Sequence, residues 1–388
     1  MKPLDLIVVG LGAAGSATLY QAAKRGARVL GLDRHRPPHD RGSSHGETRI
    51  TRQAIGEGLE YVPLALRAHT IWRELEGESG ETLMRATGAL LISPPNLGGV
   101  HHGKEDFLER TVEAARGFNI PHQILDAAEV RARYPQFAIR DHERAYFEPC
   151  AGILYPERCI AAQLTLARRR GADMRPGETA RSIDQIAGGV RVTTDRGSYE
   201  AARVVVCAGA WTGDLLGGEW ASALSLHRQT MHWFEPDQPA PFAPERFPVF
   251  IWMHGAGEGD WFYGFPRDPE AGGVKIASEQ FTDTTANPEA LDRVVTQEEA
   301  LAARDRHVAG RIEGLTANWL RSTACVYTSA PGSRFIIGAD PAREGVIVVS
   351  ACSGHGFKHS PAIGEAVADW ALGGVPSTIL EPFIPAFA

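Results

Sequence analysis

The segment Leu6-Ile-Val-Val-Gly10-Leu-Gly12-Ala-Ala-Gly15 constrains this chain more than any other. Its four leading apolar residues, three of them β-branched, predict a short buried strand at 6–9. From Ala13 to about Arg25 the residues are small or helix-forming, Gly26 supplies a stop, and residues 28–32 predict a second strand ending at Asp33. In such a strand–turn–helix–strand unit each glycine has its own task. Gly10 permits the tight turn, Gly12 lets backbone approach a pyrophosphate, and Gly15 lets the helix pack against the strand. The pyrophosphate would rest on the helix N-terminus, where free N–H groups and the dipole favour an anion. Asp33 stands where a carboxylate accepts from both hydroxyls of a ribose and repels a 2′-phosphate. The glycines alone are a weak signal, and a glycine-rich turn of some other α/β protein is the alternative. Strand, glycines, helix, strand and acid in order predict dinucleotide binding.

Composition narrows what surrounds this unit. A length of 388 residues suits two closely packed domains. The formal charge is −7 and there is no basic stripe, so nucleic acid is not an expected partner. No apolar run approaches the ~18–20 residues of a membrane span, so no membrane partner is expected either. Lys2 and the apolar stretch to Ala23 imitate a signal peptide, but Asp5 interrupts it and its glycines serve the turn. The five cysteines (Cys150, Cys159, Cys207, Cys325 and Cys352) are odd in number and lack C-x-x-C spacing. They argue against a disulfide framework and a zinc site; no metal is expected, and a cytoplasmic location is. The C-terminal Pro-Ala-Phe-Ala is no peroxisomal address. Only five of the 40 basic residues are lysines, which draws attention to Lys275 and Lys358.

Beyond Asp33 the pattern stops repeating βαβ units. Helices are expected at 61–76, 105–117 and 157–171, strands at 88–93 and 203–206, and a hairpin around 191–197. Residues 226–281 look β-rich, helical patterns return from 288 to 312, and strands are expected at 334–338 and 346–350. The chain then closes with a Gly354-His-Gly356 turn and a helix from about 361 to 372. A late strand, glycine turn and helix imply that the chain returns to complete its first domain. The expected α/β architecture is therefore a discontinuous Rossmann-type nucleotide-binding domain (1–84, 146–222 and 322–388). A mainly antiparallel β substrate domain is inserted in two pieces (85–145 and 223–321).

Further strings carry a resemblance. They are Pro37-Pro-His39, then Gly42-Ser43-Ser44-His45-Gly46-Glu-Thr48-Arg49-Ile-Thr-Arg52, and Gly56-Glu-Gly58 with Tyr61-Val-Pro-Leu. Later come Ala208-Gly209-Ala210-Trp211-Thr212, Tyr263-Gly-Phe-Pro266, Cys325-Val-Tyr327-Thr328 and Ser353-Gly354-His355-Gly356-Phe357-Lys358. In this order, with the N-terminal fingerprint, they resemble the monomeric sarcosine oxidase and N-methyltryptophan oxidase family of flavoprotein amine oxidases over essentially the whole chain. The resemblance implies FAD, bound by Gly10, Gly12, Gly15, Asp33, Ser43, Ser44, Arg49, Gly209, Trp211, Gly354, Gly356, Phe357 and Lys358. It also implies a thioether from Cys325 to the flavin 8α-methyl group. A thiolate is the nucleophile that such a bond needs, and positive neighbours favour one; an isolated cysteine would instead be read as a buried apolar thiol, as the other four are.

The same resemblance places His45 and Arg49 near the flavin, and Arg52 and Lys358 on the substrate carboxylate. An arginine fork and a lysine point charge together select amino acids over plain amines; taken alone, such arginines are surface or ion-pair residues. Lys275 matches the family lysine over the flavin, where a fixed charge favours reduction of O₂ to superoxide. Without the family it would be a strand lysine on a solvated face. Tyr263 and Tyr327 match pocket tyrosines, and Gly354 brings backbone close to the ligand. One position departs from the pattern. Well-known members carry a histidine four residues beyond the lysine, and this chain has Glu279. If the strand continues, Glu279 shares a face with Lys275 and reaches the pocket, where it suits a substrate with a donor or positive charge. Pairing with an arginine is the alternative. The loop 254–262 also looks long, as loops that gate or shape pockets do.

The expected activity is FAD-dependent oxidation of secondary α-amino acids, N-methyl or cyclic, with O₂ as acceptor and hydrogen peroxide as product, by a monomer. Alternatives are a flavin-dependent dehydrogenase with another acceptor, a flavin-bearing scaffold without turnover, and, from the first 33 residues alone, a nicotinamide-dependent dehydrogenase.

Overall fold

The structure, a computed structural model, describes residues 4–95, 101–102 and 104–387. The strand Leu4–Val9, the helix Ala13–Lys24 and the strand Val29–Asp33 form the expected βαβ unit. A parallel row of five strands is built around it, in the order Asp173–Pro176, Val29–Asp33, Leu4–Val9, Ser198–Val206 and Val346–Ser350. Val346–Ser350 thus comes back from the C-terminal part of the chain to pair with Ser198–Val206, and the helix Ser360–Gly373 then packs on Ala13–Lys24. Burial on both faces explains why residues 6–9 and 346–349 read as continuous apolar runs. Ile336–Ala339 and the hairpin Ala180–Ile186/Gly189–Thr194 add antiparallel strands to this sheet.

The second sheet has nine strands, paired antiparallel except where Val249–Met253 runs parallel to Ala89–Ser93. Its longest pairing, Ser225–Pro236 with Leu315–Ser329, lies at one edge. Period-two alternation sorts its side chains. Phe250, Trp252, Phe262, Val274 and Ile276 enter an aromatic core with Phe137 and Phe247. Their neighbours Ile251, Trp261, Tyr263, Phe265, Lys275 and Ala277 face the other way, toward the first sheet. A three-stranded sheet of Arg49–Thr51, Gly152–Leu154 and Met84–Ala86 lies apart from these two sheets. The boundaries expected at 145/146 and 321/322 fall inside continuous strands, Arg144–Glu148 and Leu315–Ser329.

Two local expectations need correction. The helical pattern at 288–312 resolves into a single turn at Pro288–Ala290 and a helix Gln297–His307. Thr296 starts that helix by accepting from Glu299 N, and the β-branched Val294-Val295 before it stays outside. The strand bearing Lys275 ends at Ala277, so Glu279 lies beyond it rather than on the same strand face. Among the described residues no helix is long and apolar enough to cross a membrane.

Candidate active site

A cavity of about 490 Å³ runs between the parallel sheet and the inner face of the antiparallel one. At one end it is lined by Gly10, Gly12, Asp33, Ser43, Ser44, Gly209 and Trp211, and further along by Gly354, Gly356 and Phe357. The turn at Gly10 has a positive φ of 89°, and a Cβ on Gly15 would lie 1.7 Å from Gly10 O, so helix and turn approach as only glycines allow. No side chain caps the helix Ala13–Lys24, which leaves its first-turn amides free for an anion. Asp33 Oδ2 accepts from Leu11 N and Oδ1 from His35 N, both at 2.8 Å, fixing the carboxylate at the cavity wall. This cradle fits the adenosine and pyrophosphate part of FAD.

Arg49, Arg52, Tyr263, Glu279, Tyr327 and Lys358 line the remainder. His45, Lys275, Cys325 and Gly15 do not. Lys275 comes off the inward face of its strand, but its Nζ donates to Gly46 O (2.8 Å), Thr48 O (2.8 Å) and Thr48 Oγ1 (2.9 Å) and lies 4.4 Å from the centre of the Phe265 ring. Burial and the charge of Arg49 push its pKa well below the ordinary lysine range. It therefore braces the 46–48 loop from which Arg49 reaches the cavity. Arg49 itself donates to Thr48 O and Ser43 O. His45 is buried with Nε2 unpartnered, and burial with Arg49 nearby holds its pKa down at about 3, so the ring is neutral. Cys325 packs with Met231, Trp233 and Tyr327. Arg49 and Lys275 favour its thiolate, but burial outweighs them and pushes the thiol up to about 11.

The two expected carboxylate holders are both at the cavity and both engaged. Arg52 Nη2 donates to both oxygens of Glu57, at 2.8 and 2.6 Å, and Nη1 donates to Ala54 O. Lys358 Nζ donates to His355 O at 2.8 Å, and burial brings its pKa down to about 8. Glu57 is held well below the usual carboxylate range: burial alone pushes it up, and Arg52 with Lys358 more than reverses this.

Glu279 faces the cavity from beyond its strand. Among the described residues no arginine pairs with it. Its Oε1 accepts from Tyr327 OH at 3.0 Å, while Oε2 lies 3.4 Å from His102 Nε2. Burial pushes its pKa up to about 8, against the Tyr327 hydrogen bond. Gly354, at φ 83°, closes on this group: a Cβ there would lie 2.6 Å from His102 Cε1 and 3.1 Å from Glu279 Oε2. The loop expected at 254–262 stops at residue 260: Trp261 opens the strand Trp261–Phe265, and from there it lines the cavity and packs edge-on against His101.

Sequence reasoning missed Glu57, His101, His102 and His355 as cavity residues. Glu57 had a signal, its place between Gly56 and Gly58; the adjacent histidines at 101–102 had none. Ligand atoms of Glu57, His101 and His102 lie within 4.8 Å of one another, but both Glu57 oxygens are already taken by Arg52.

Comparison with known proteins agrees with this geometry. Residues 5–370 match the family described as DAO, FAD dependent oxidoreductase. The chain is 38% identical to a monomeric sarcosine oxidase of Streptomyces avermitilis, with 98% of this chain and 97% of that protein covered. It is 33% identical to an N-methyl-L-tryptophan oxidase of Salmonella agona, again covering 98% and 97%. The open form of NikD, an unusual amino acid oxidase essential for nikkomycin biosynthesis, superposes with a TM-score of 0.83 at 25% identity, covering 99% of this chain and 98% of NikD.

Proposed function

Because the chain belongs to the FAD dependent oxidoreductase (DAO) family, we propose that it oxidises secondary α-amino acids, N-methyl or cyclic, with O₂ as the terminal acceptor. The amine loses two electrons and two protons and becomes an imine, O₂ gains both and becomes hydrogen peroxide, and water cleaves the imine to a carbonyl compound and an amine. Bound FAD supplies the two-electron relay between them. The observation that carries this reading is the joining, in one cavity, of a dinucleotide cradle to a buried end holding Arg52 and Lys358.

The chain's own residues have these tasks. Lys358 and the fork of Arg52 bind the substrate carboxylate, which requires Arg52 to share or leave Glu57. Positive charge at Arg49, Arg52 and Lys358 lowers the pKa of the substrate ammonium and favours the neutral amine from which electrons leave. Tyr263 and Tyr327 narrow the pocket and keep water out. Arg49 adjoins the flavin from the cavity wall, with His45 and Lys275 behind that lining; Lys275, in the protonated form that its three acceptors stabilise against burial, provides the charge that favours electron transfer to O₂. Cys325 holds the flavin by a thioether. We further read the protein as a cytoplasmic monomer; none of its five cysteines is in a disulfide, which suits a reducing compartment.

The test is an anaerobic spectral titration of the purified holoprotein with sarcosine, N-methyltryptophan, proline and pipecolate, followed by air. Bleaching of the flavin band by at least one of them and recovery within seconds in air is expected. Slow recovery in air would make the protein a dehydrogenase, and no bleaching by any secondary amino acid would overturn the reading.

A further inference from the structure

We propose that Glu279, set beside His102 in the cavity wall, is the acceptor for a second, basic nitrogen on the substrate. The preferred substrate is then an N-methyl or cyclic amino acid with a cationic side chain. This rests on the oxidase reading above and narrows its substrate class.

Glu279 is a buried carboxyl with one oxygen unused. Its side chain is 4% exposed, and among the described residues Oε2 has no hydrogen-bond partner; neither does the Nδ1 of His102. A buried acceptor left unpaired is costly, and a buried unpaired charge more so. The chain has cations enough nearby to satisfy it, yet each is committed elsewhere. Arg52 is on Glu57, Arg49 on Thr48 O and Ser43 O, Lys275 on Gly46 and Thr48, and Lys358 on His355 O. His102 does not serve as counter-ion, because burial and its neighbours His101 and His355 hold its imidazole neutral. The missing partner therefore comes from what enters the cavity.

Charge balance selects the class. In its reactive form, with the amine neutral, a simple N-methyl amino acid carries one negative charge, which Lys358 matches; Glu279 is then left to stay protonated, in keeping with its raised pKa. A basic side chain adds the positive charge that an ionised Glu279 lacks, so both ends of the substrate are paired. The group is held ready for this: Tyr327 fixes Oε1, and the Gly354 backbone packs behind Oε2.

The test compares Nα-methyl-lysine with N-methylnorleucine, which has the same carbon chain without the ammonium. The wild-type holoenzyme should prefer the lysine derivative by roughly 10- to 100-fold in kcat/KM, the range of a hydrogen bond to a charged group. In Glu279→Gln the ratio, read within the one variant, should fall to about threefold or less. Flavin content and spectrum report whether the variant is folded; if it holds no flavin, the wild-type ratio decides alone. A wild-type ratio near one, or an unchanged ratio in the variant, overturns the proposal. If sarcosine or proline bleaches the flavin and the lysine derivative has no advantage, only this inference falls. If no secondary amino acid bleaches it, the oxidase reading falls and takes the inference with it.

Discussion

Replacing Glu57 by glutamine isolates the buried pair on which carboxylate capture depends. The side chains of Arg52 and Glu57 are 6% and 4% exposed, and their bidentate contacts of 2.8 and 2.6 Å leave little room for water. Glutamine keeps the shape and one acceptor but removes the charge, so the guanidinium is left buried with only neutral acceptors. Breaking a buried pair in this way costs about 3–5 kcal/mol. At roughly 2.1 cal/mol/K per residue, this chain unfolds with an entropy of about 0.8 kcal/mol/K, so Tm should fall by about 4–6 °C. A simple carboxylate such as acetate, seated on the freed Arg52 at a hundred times its Kd, should return about 2.7 kcal/mol, or about 3 °C.

The assay is thermal unfolding of the holoenzyme by intrinsic fluorescence at pH 7, with and without acetate. Because the Glu57 carboxyl is held below its ordinary value, its stabilisation is present above the unfolded-state pKa and is lost as pH falls through the lower folded one. The gap between wild type and variant should thus be constant from pH 6 to 8 and close only in acid. A variant within 1 °C of wild type would refute the reasoning. So would a fall in Tm that acetate offsets no better than it raises the wild type.

Three further outcomes are expected. Lys275→Met should slow recovery of the flavin colour in air by roughly 10²–10³-fold while anaerobic reduction changes only a few-fold; equal slowing of both half-reactions would remove Lys275 from the oxygen step. Acid precipitation should leave flavin in the wild-type pellet and release all of it from Cys325→Ser, and yellow pellets from both would place the bond on another residue. Glu279→Gln should change the pH dependence of stability. The folded-state pKa of Glu279 is raised to about 8, so stability falls as pH rises from the unfolded-state value through about 8. The glutamine variant should lack that slope, worth a few kcal/mol at most, so the difference between wild type and variant should shrink as pH rises, and parallel pH–Tm curves would show that Glu279 is not buried as an acid.

What was legible in the sequence was whatever a short stretch of chain decides for itself. Gly10 is required by its positive φ and Gly15 by its contact with Gly10 O, both within one turn, so their spacing announced the βαβ unit, and the apolar run 346–350 announced a strand buried on both faces. The β-rich character of 226–281 was legible too, but not that the strand starts at Trp261 or which of its faces is inward, because that face is settled by Phe247 and Phe250 packing behind Phe262. The helix at 297–307 was overextended because apolar spacing said nothing of the cap at Thr296. At the site, sequence named the charges and not their partners. Lys275 spends its donors on the backbone of Gly46 and Thr48, some 230 residues away in the chain, and His102 meets Glu279 only through the fold. A list of buried charges therefore carries less functional information than knowing which of them are already paired. Arg49, Arg52, Lys275 and Lys358 each have acceptors within the protein, and Glu57 has its cation. Among the described residues Oε2 of Glu279 has no partner, and for that reason substrate choice is argued from Glu279 and not from the more numerous positive residues around it.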